Sequence, residues 1–320
     1  MKVQFIKIDN NRISQRIDNF LCNYFKKIPK STIYRIIRKG EVRVNKKRIK
    51  PKYKLQINDL IRIPPIRSEK QNSKFTISNL NKIKKLKSHL LLEDDHIMVL
   101  NKPSGTAVHG GSGLSFGIIE SLRALYLNLS FLELVHRIDR DTSGILLIAK
   151  KRSALRSLQE QFRQKTVKKF YSALMMGKWD TNCKIVNAPL LKNKGNGVVH
   201  VDIQGKPSKT HFKIIEQFSK ATLIQATPIT GRTHQIRVHS QYVGHPIAFD
   251  SKYGSLSFNS YINTIGLDRL FLHASRILFI HPKTKQWLEI NAPMEDKLKI
   301  VLRNLRKLDQ NSRISILDRV

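Results

Sequence analysis

Hydrophobic residues near the start of the chain recur at the spacing of two short helices. The first pattern consists of Ile17, Phe20, Leu21, Tyr24 and Phe25. Residues at this spacing share one face of an α-helix. A second helix is predicted after Pro29, with Ser31 as its candidate N-cap and with its end at Gly40. Two helices in so short a stretch predict a small N-terminal module.

A strand pattern and a basic surface follow the second helix. Val42 and Val44 alternate with polar neighbours, as they would in an edge strand. Arg35 and Arg38 lie three residues apart on one face of the helix, and the turn after Val44 is rich in lysine. Such a surface is either simply solvated or arranged to contact the phosphates of a nucleic acid, and we favour phosphate contacts.

The rest of the chain predicts more strands than helices. Apolar or alternating runs predict strands at 97–100, 145–148, 170–176, 212–215, 221–228, 276–280 and 287–290. Leu155, Leu158 and Phe162 predict an amphipathic helix over 151–165. Because the strands do not alternate regularly with helices, the pattern favours an α+β domain with a mixed, largely antiparallel sheet over a doubly wound nucleotide-binding fold.

Shifts in composition divide the chain into four parts. A polar, lysine-rich stretch predicts a basic linker at 66–88. We therefore expect an N-terminal module at 1–65, with its core at about 13–63, and a catalytic-sized domain at 89–306. Residues 307–320 are expected to form a C-terminal tail.

The net charge indicates a polyanionic partner. The 320 residues include 59 Lys and Arg against 23 Asp and Glu, which gives a formal net charge of +36. RNA, DNA and an anionic membrane surface all fit such a charge, although part of the excess reflects a general richness in lysine. No apolar run reaches the length of a membrane span or of a secretion signal, and two cysteines are too few for a disulfide scaffold. We expect a cytoplasmic protein without a membrane partner.

The sequence disfavours two common kinds of site. Gly105 and Gly110 have the spacing of a phosphate-binding loop, but the lysine that such a loop requires does not follow. The glycines at 110–113 indicate either a flexible loop near a ligand or a plain turn. Histidines such as His136 and His239 show no metal-ligand spacing and are expected to hold backbone or RNA groups. We therefore expect neither a metal nor a cofactor.

A charged segment centred on Asp139 is the first candidate for chemistry. Arg137 and Arg140 flank Asp139, and Gly144 leads into the strand predicted at 145–148. A loop that enters a strand can hold a carboxylate rigidly at a cleft, where it can serve as a nucleophile or an electrostatic stabiliser. The alternative is a network of Arg and Asp ion pairs that braces a turn. From these residues alone, the two interpretations are equally supported.

A second basic block follows the strand predicted to end at Pro228, where a glycine turn precedes a helix. Arg232 and His234 lie beside the expected N-terminus of that helix, a position that suits a phosphate or a carboxylate. Arg237 lies within the helix and could reach the carboxylate of Asp139. The alternative is that these residues are ordinary basic surface.

Tyr171 is a further residue of interest in the larger domain. It lies among apolar residues on the strand predicted at 170–176, where an ordinary core tyrosine is the default. Its ring could equally stack on a base that has been flipped out of an RNA.

The N-terminal module resembles the small S4-type RNA-binding domain. The residues that carry the resemblance are Arg16-Ile17-Asp18, Lys30-Ser31, Arg35, Arg38, Gly40, Val42 and Val44-Asn45. In that family the two helices and the following loop grip structured RNA. The RNA contacts implied for this module are Arg16, Lys30, Arg35, Arg38, Asn45 and Lys46.

The larger domain resembles the RluA-type family of RNA pseudouridine synthases. The motifs that carry the resemblance are His136 to Gly144, Lys169 to Ala173, Thr230 to His239, Gly244 to Ile247, Tyr253-Gly254 and Leu272 to Ala274, in the family's order. With the S4-like module and the segments 101–111 and 241–250, the chain is most similar to the RluC branch, which modifies several uridines of 23S ribosomal RNA. The likeness runs to about Arg306. It departs from the family at Ile138, where leucine is usual, and at Phe249-Asp250, where Gly-Asp is more common in the wider family but which the RluC branch shares.

The resemblance implies a chemistry as well as a fold. Asp139 matches the family's essential catalytic carboxylate, Tyr171 its base-stacking tyrosine and proposed proton acceptor, and Arg237 the arginine that pairs with the aspartate. The implied RNA contacts in this domain are Arg137, Arg140, Arg232 and His234. No cofactor is required, because the base is detached from ribose C1′, turned and rejoined through C5. Attack of the carboxylate at C1′ and proton abstraction at C2′ are both open.

We therefore predict an enzyme that converts specific uridines of 23S ribosomal RNA, or of its large-subunit precursor, to pseudouridine and acts as a monomer. The alternative is a non-catalytic RNA-binding or ribosome-assembly factor on the same fold. The presence of Asp139, Tyr171 and Arg237 together counts against that alternative. A DNA-binding regulator is disfavoured because the sequence has no helix-turn-helix or zinc-finger pattern.

Overall fold

The computed structural model describes residues 3–25, 28, 30–65, 86–110, 117–193, 195 and 197–317. The chain divides into two compact units, Met1–Ile77 and Ser78–Val320. Most of the predicted linker at 66–88 lies outside the described residues, and so does the predicted glycine loop or turn at 110–113 apart from its first residue. The boundaries expected for the module and the larger domain stay predictions.

The N-terminal unit joins two helices to a four-stranded antiparallel sheet. Its elements are β1 (Gln4–Lys7), a 3-10 helix (Asn10–Arg12), α1 (Ile17–Tyr24), α2 (Lys30–Arg38), β2 (Arg43–Val44), β3 (Lys47–Arg48) and β4 (Leu60–Ile63). The strand order is β1-β4-β2-β3. Leu21 of α1 and Ile37 of α2 are buried in one cluster with Val44 and Ile61 of the sheet. The apolar faces of the two helices therefore form the core of this unit.

Two details of this unit differ from the predictions. Ser31 is not an N-cap, because α2 already begins at Lys30 and Ser31 lies in its first turn. β2 is not an edge strand, because it pairs with both β3 and β4. The turn between β2 and β3 places Asn45 and Lys46 at φ 49° and 65°, the left-handed conformation that a two-residue hairpin turn needs.

The second unit is built on one large mixed sheet. Its strands are β5 (Leu90–Glu93), β6 (Ile97–Lys102), β7 (Glu133–Leu134), β8 (Ser143–Ala149), β9 (Lys168–Met176), β10 (Ile185–Asn187), β11 (Leu190–Lys192), β12 (Val199–Val201), β13 (Lys209–Gln217), β14 (Ala221–Pro228), β15 (Leu272–Ile280) and β16 (Trp287–Asn291). Within the described residues the sheet has the order β10-β13-β14-β9-β15-β8-β6-β5, with β16 beside β15, β7 beside β8, and β11 paired separately with β12. Neighbouring strands are antiparallel except β15 and β8, which run parallel. The predicted α+β fold with a mixed, largely antiparallel sheet is confirmed.

Helices cover both faces of this sheet. They are α3 (Ile118–Leu125), α4 (Arg152–Arg163), α5 (Gln235–Tyr242), α6 (Leu256–Thr264) and α7 (Asp296–Leu317). Ile236 of α5 is buried in one cluster with Ala173 of β9, and Leu305 of α7 is buried in another with Leu174. Adjacent residues of a strand point to opposite faces, so α5 and α7 lie on opposite sides. None of the described helices is long and apolar enough to cross a membrane.

The last helix crosses the boundary predicted for a C-terminal tail. α7 continues to Leu317, whereas the tail is expected from residue 307. Asp309 accepts hydrogen bonds from the backbone N–H of Ser219. The start of the predicted tail therefore continues a helix that contacts the domain.

The centre of the sheet brings three of the predicted motifs together. β8 begins just after the loop of Asp139 and lies beside β15, and β15 lies beside β9, which carries Tyr171. Gly144 has a φ of 104°, and a side chain there would overlap the backbone of Ala274 on β15. Only glycine permits this close parallel contact. The loop of Asp139 is thereby fixed at the middle of the sheet.

Candidate active site

A cleft of about 300 Å³ opens where these motifs meet. Its walls come from the loop before β8, from β9 and from the segment that joins β14 to α5. The lining residues are His136, Arg137, Ile138, Asp139, Thr142, Phe162, Lys169, Tyr171, Pro228, Thr230, Gly231, Arg232, Thr233, His234, Gln235, Ile236, Arg237 and Leu272. The three predicted catalytic residues, Asp139, Tyr171 and Arg237, therefore share one cleft. Arg140 lines a neighbouring cavity instead.

Asp139 and Arg237 are in direct contact in this cleft. Nη1 of Arg237 donates a hydrogen bond of 3.1 Å to Oδ2 of Asp139. Among the described residues, no donor bonds the other oxygen, Oδ1, and the Asp139 side chain is 23% exposed. One oxygen of the carboxylate is therefore held while the other is free to meet a substrate.

A buried carboxylate, Asp250, fixes Arg237 from the other side. Nε and Nη2 of Arg237 donate to its two oxygens over 2.6 and 2.7 Å, the paired geometry in which arginine binds a carboxylate most firmly. Burial would raise the pKa of Asp250, but the hydrogen bonds and charge of Arg237 hold it below its ordinary value. Burial would likewise lower the pKa of Arg237, but Asp250 and then Asp139 raise it above its ordinary value. Both groups of this pair are therefore charged at neutral pH.

In the described part of the chain, the arginine that follows Asp139 binds another group. Arg140 donates to its own neighbour, Asp141, over 2.9 Å. The arginine that binds Asp139 is instead Arg237, 98 residues away in the sequence. The ion pair that braces this turn is thus separate from the one that holds Asp139. The bracing ion pair is thus present at Arg140 and Asp141, and the catalytic role of Asp139 stays a prediction.

Two exposed arginines line the cleft. Arg137 lies in the loop before β8, and Arg232 precedes α5, where its Nε donates to the backbone carbonyl of Pro207 over 3.2 Å. Exposed guanidinium groups beside a cleft are placed to meet the phosphates of a bound RNA. Their predicted RNA contacts remain predictions.

Lys102 ties the loop of Asp139 to an earlier turn. Its side chain is fully buried, and its Nζ donates to the backbone carbonyls of Pro103, Thr106 and Arg140 over 2.8 to 2.9 Å. Burial lowers the pKa of Lys102 to about 7, against the opposing charges of nearby carboxylates. The sequence did not single out this residue. The only indication in the sequence is that Lys102 ends the apolar strand β6. A lysine at the end of a strand does not by itself predict that its side chain is buried.

Tyr171 and Lys169 both reach the cleft from β9, since residues two apart share a face of a strand. Burial, with a smaller effect of the Asp139 charge, raises the pKa of Tyr171, so its phenol is neutral at pH 7. Burial lowers the pKa of Lys169 to about 8. The Nζ of Lys169 lies 5.8 Å from the centre of the Phe162 ring. The cleft thus joins a carboxylate, a neutral phenol and the aromatic ring of Phe162.

His234 stands between the cleft and Tyr253. The Tyr253 hydroxyl accepts a hydrogen bond of 2.9 Å from the backbone N–H of Val199 and lies 2.8 Å from Nδ1 of His234. If the phenol donates its single proton to Nδ1, the imidazole proton lies on Nε2. Nε2 faces Oδ2 of Asp139 at 3.9 Å, which is longer than a hydrogen bond. Burial lowers the pKa of His234, although the Asp139 charge opposes it.

Other predicted histidines hold the backbone and the core. Nε2 of His136 accepts from the backbone N–H of Leu147 over 3.1 Å, and burial lowers the pKa of His136 to about 3. The buried His239 bonds the hydroxyls of Ser208 and Thr210. Across the described ranges, no group of three acidic, histidine or cysteine side chains could hold a metal ion.

Three of the basic residues predicted to bind RNA in the N-terminal unit are exposed. Arg35 and Arg38 lie on α2, and Lys46 lies in the turn between β2 and β3. The Lys30 side chain lies outside the described part of the structure. The exposed side chains are placed to meet phosphates without a change in the fold.

The other two candidates of this unit hold its own fold. Arg16 binds the buried Asp18 through hydrogen bonds of 3.1 and 2.5 Å. Asn45 donates to Asp59 over 2.8 Å and accepts from the backbone N–H of Leu60 over 2.9 Å. Arg16 and Asn45 therefore stabilise the fold of this unit. Their predicted RNA contacts remain predictions.

Comparisons with known proteins agree with this architecture. The family described as RNA pseudouridylate synthase matches residues 96–242, and the S4 domain matches residues 15–61. A Vibrio parahaemolyticus protein named ribosomal large subunit pseudouridine synthase C is 66% identical over 307 residues, which cover 96% of this chain and 98% of the relative. The protein of that name from Escherichia coli O157:H7 is 57% identical over 309 residues, with 95% and 97% covered. Human RNA pseudouridylate synthase domain containing 4 shares the fold, with a TM-score of 0.61 at 23% identity over 72% of this chain and 97% of the human chain.

The sheet, the cleft and the N-terminal unit thus define an RNA-modifying enzyme with an attached S4 domain. The chain belongs to the RNA pseudouridine synthase family, which confirms the family predicted from its motifs. Its reaction is the isomerisation of uridine to pseudouridine in RNA.

Proposed function

We propose that this enzyme converts specific uridines of the large-subunit, 23S ribosomal RNA to pseudouridine, with Asp139 as its catalytic carboxylate. The observation that carries the proposal is that Asp139 lines the cleft with one oxygen held by Arg237, while no donor among the described residues bonds the other. The choice of substrate is supported by the names of relatives that match nearly the whole chain.

The reaction breaks the bond between C1′ and N1 of uridine and forms a bond between C1′ and C5. Positive charge builds on the ribose as the first bond breaks, and a carboxylate at C1′ can stabilise or capture it, as in retaining glycosidases. Oδ1 of Asp139 is the free oxygen for this step. Arg237 keeps the carboxylate oriented and balances its charge through Oδ2.

The C5 proton must leave after the base has rejoined the ribose, and Tyr171 is placed to assist. Its raised pKa means that the resting phenol keeps its own proton. It therefore acts as a relay that takes the C5 proton as it passes its own to a neighbour. Asp139 becomes a free carboxylate again at this stage and accepts the proton from Tyr171. The charge of Asp139 already raises the pKa of Tyr171.

The N-terminal unit supplies additional affinity for the RNA. The target uridine has to leave its stack, which costs a few kcal/mol that phosphate contacts elsewhere can offset. Arg35, Arg38 and Lys46 are exposed for such contacts. Deletion of residues 1–65 should therefore weaken RNA binding and restrict the set of modified uridines.

Incubation of unmodified 23S ribosomal RNA with the protein tests this function. Pseudouridines are mapped by reverse-transcription stops after carbodiimide treatment. Asp139→Asn should bind the RNA as tightly as wild type but lower the rate at least about 1000-fold, whereas the exposed Asp95→Asn should retain activity. RNA that is bound tightly but left unchanged by wild type contradicts the proposal and favours an assembly factor.

Isotopic substitution then separates the two possible roles of Asp139. Uridine that carries deuterium at C2′ should react at the ordinary rate if Asp139 attacks C1′, because no bond to that hydrogen breaks. A clear primary isotope effect in single-turnover rates would assign proton abstraction at C2′ instead.

A further inference from the structure

Phe249 has a backbone conformation that suits glycine better than a large side chain. It lies in a tight turn closed by a hydrogen bond of 3.2 Å from the N–H of Asp250 to the carbonyl of Ile247, and its φ is 57°. For an aromatic residue this left-handed conformation is strained. The turn directs Asp250 toward Arg237, a task in which the ring takes no part. A strained residue beside a functional site indicates another use for its side chain.

Phe249 is one of the residues that line a second cavity, of about 420 Å³. Arg237 lines both this cavity and the cleft of Asp139, so the second cavity adjoins the catalytic pair. Its volume lies in the range of pockets that hold small organic groups. Two further guanidinium groups, those of Arg140 and Arg269, form part of its wall.

The charges around the second cavity favour an anion near Arg140. The Arg140 side chain is 61% exposed and pairs with Asp141 through Nε and, over 3.4 Å, through Nη2, but a guanidinium has five N–H donors. Asp268 is another acid of the cavity wall, and Lys297 balances its charge. Arg269 pairs with Glu295 over 3.1 Å. A phosphate that meets Arg140 would therefore find each nearby carboxylate already paired with a cation.

We propose that the second cavity binds an unpaired nucleotide of the RNA, close in the strand to the target uridine. Its base stacks on Phe249, and its phosphate binds Arg140. An aromatic ring beside an arginine is the combination with which proteins recognise unpaired bases. The inference rests on the proposed function, since it places the target uridine at Asp139. It makes Phe249 a determinant of which uridines are chosen, namely those with a neighbour that can leave its stack.

The same ring also packs against the core cluster that contains Phe258 and Phe271, so the test has to separate stacking from packing. Phe249→Leu keeps the apolar volume but lacks an aromatic face. Phe249→Tyr keeps the aromatic face. Phe249→Gly removes the ring and fits the turn without strain.

A scan with abasic nucleotides separates the two roles. RNA oligonucleotides that carry the mapped target uridine are made with one base removed at each flanking position in turn. With wild type and Phe249→Tyr, we expect one abasic position to lower kcat/KM roughly 10-fold. With Phe249→Leu and Phe249→Gly, that position should bring no further loss. Identical profiles for wild type and Phe249→Leu overturn the proposal.

Each profile compares RNAs on the same protein, so a general loss of stability cannot imitate the result. The affinity of the abasic series for Asp139→Asn, followed by fluorescence anisotropy, provides a second readout. In the Asp139→Asn protein, the abasic position that lowers kcat/KM should also weaken RNA binding. In the Asp139→Asn, Phe249→Leu double variant, that abasic position should leave RNA binding unchanged. Because this readout needs no reaction, it reports the contact even if the proposed chemistry fails.

Discussion

Asp250 binds Arg237 with two hydrogen bonds of 2.6 and 2.7 Å, whereas Asp139 accepts one of 3.1 Å from the same guanidinium. The Asp250 side chain is 1% exposed and that of Asp139 is 23% exposed. The buried carboxylate thus sets the position of the arginine, and the arginine sets the position of the exposed carboxylate. In the proposed reaction, the longer bond is the one that changes as charge moves onto and off Asp139.

Asp250→Asn should disable the site without touching the substrate. The variant leaves Arg237 buried beside a neutral amide, so the free energy of unfolding should fall by about 3 to 5 kcal/mol at neutral pH. A shift of the guanidinium should lower the single-turnover rate about 100-fold. Urea unfolding and rapid-quench kinetics measure the two effects, and Asp95→Asn is the matched exposed control.

The stability difference for Asp250 should also depend on pH. The folded pKa of Asp250 is below its ordinary value, so its stabilising effect is complete above the unfolded pKa of about 3.9. That effect is lost as the pH falls through the lower folded value. The gap between wild type and Asp250→Asn should therefore shrink below about pH 4, and a gap that stays constant down to pH 3 contradicts the assignment.

Lys102 should also make stability rise with pH, but in a higher pH range. Its folded pKa is about 7, while an unfolded lysine keeps its proton to about pH 10.4. Between these values the unfolded state binds more protons, so stability rises with pH. Relative to Lys102→Met, wild type should gain up to about 2 kcal/mol between pH 7 and pH 9 in urea unfolding. The exposed Lys178→Met should show no such change.

The sequence could predict elements whose pattern is local. The apolar run of β14 ends at a proline, and the structure has the predicted bounds, Ala221–Pro228. The amphipathic spacing of α4 likewise placed that helix to within two residues, at Arg152–Arg163. The three-residue strands β11 and β12 were not predicted, because three residues are too few to show the alternation of apolar and polar positions that marks a strand. The start of α2 was misplaced because Ser31 was read as a cap.

In the site, too, the sequence predicts what depends on local pattern and misses what depends on tertiary packing. Contact between Asp139 and Arg237 was expected, because each stands in a charged segment where a strand or helix begins. The sequence did not predict that Asp250 holds Arg237 or that Lys102 holds the loop of Asp139. Both roles depend on burial, and that burial depends on how a distant turn and the end of a strand pack. The role of Tyr171 came from the family resemblance, because its spacing alone fitted a core residue equally well.

Arg35 and Arg38 should carry part of the salt dependence of RNA binding. Each phosphate contact releases about one counterion, so the slope of log Kd against log salt should fall by roughly 2 in the Arg35→Ala, Arg38→Ala double variant. A matched double variant at the exposed Lys178 and Lys283 should leave the slope unchanged. Equal slopes for wild type and the arginine variant would remove the N-terminal unit from the RNA interface.

Tyr253 should affect the reaction through His234. A hydroxyl that donates to Nδ1 would keep the imidazole proton on Nε2, toward Asp139. Tyr253→Phe removes this preference, and we expect single-turnover rates to fall roughly 10-fold, the scale of one neutral hydrogen bond.

A double-mutant cycle distinguishes this role from a structural one. His234→Asn removes Nε2 and tolerates the left-handed backbone at that position, where φ is 54°. If Tyr253 acts by orienting the imidazole, Tyr253→Phe should cost nothing further in the His234→Asn background. The hydroxyl also accepts from the backbone N–H of Val199, so a purely structural role would lower the rate by the same factor in both backgrounds. The factor by which Tyr253→Phe lowers the rate is therefore compared between the wild-type and the His234→Asn backgrounds. The Val199 hydrogen bond is lost in both, so a difference between the two factors reports the effect through His234.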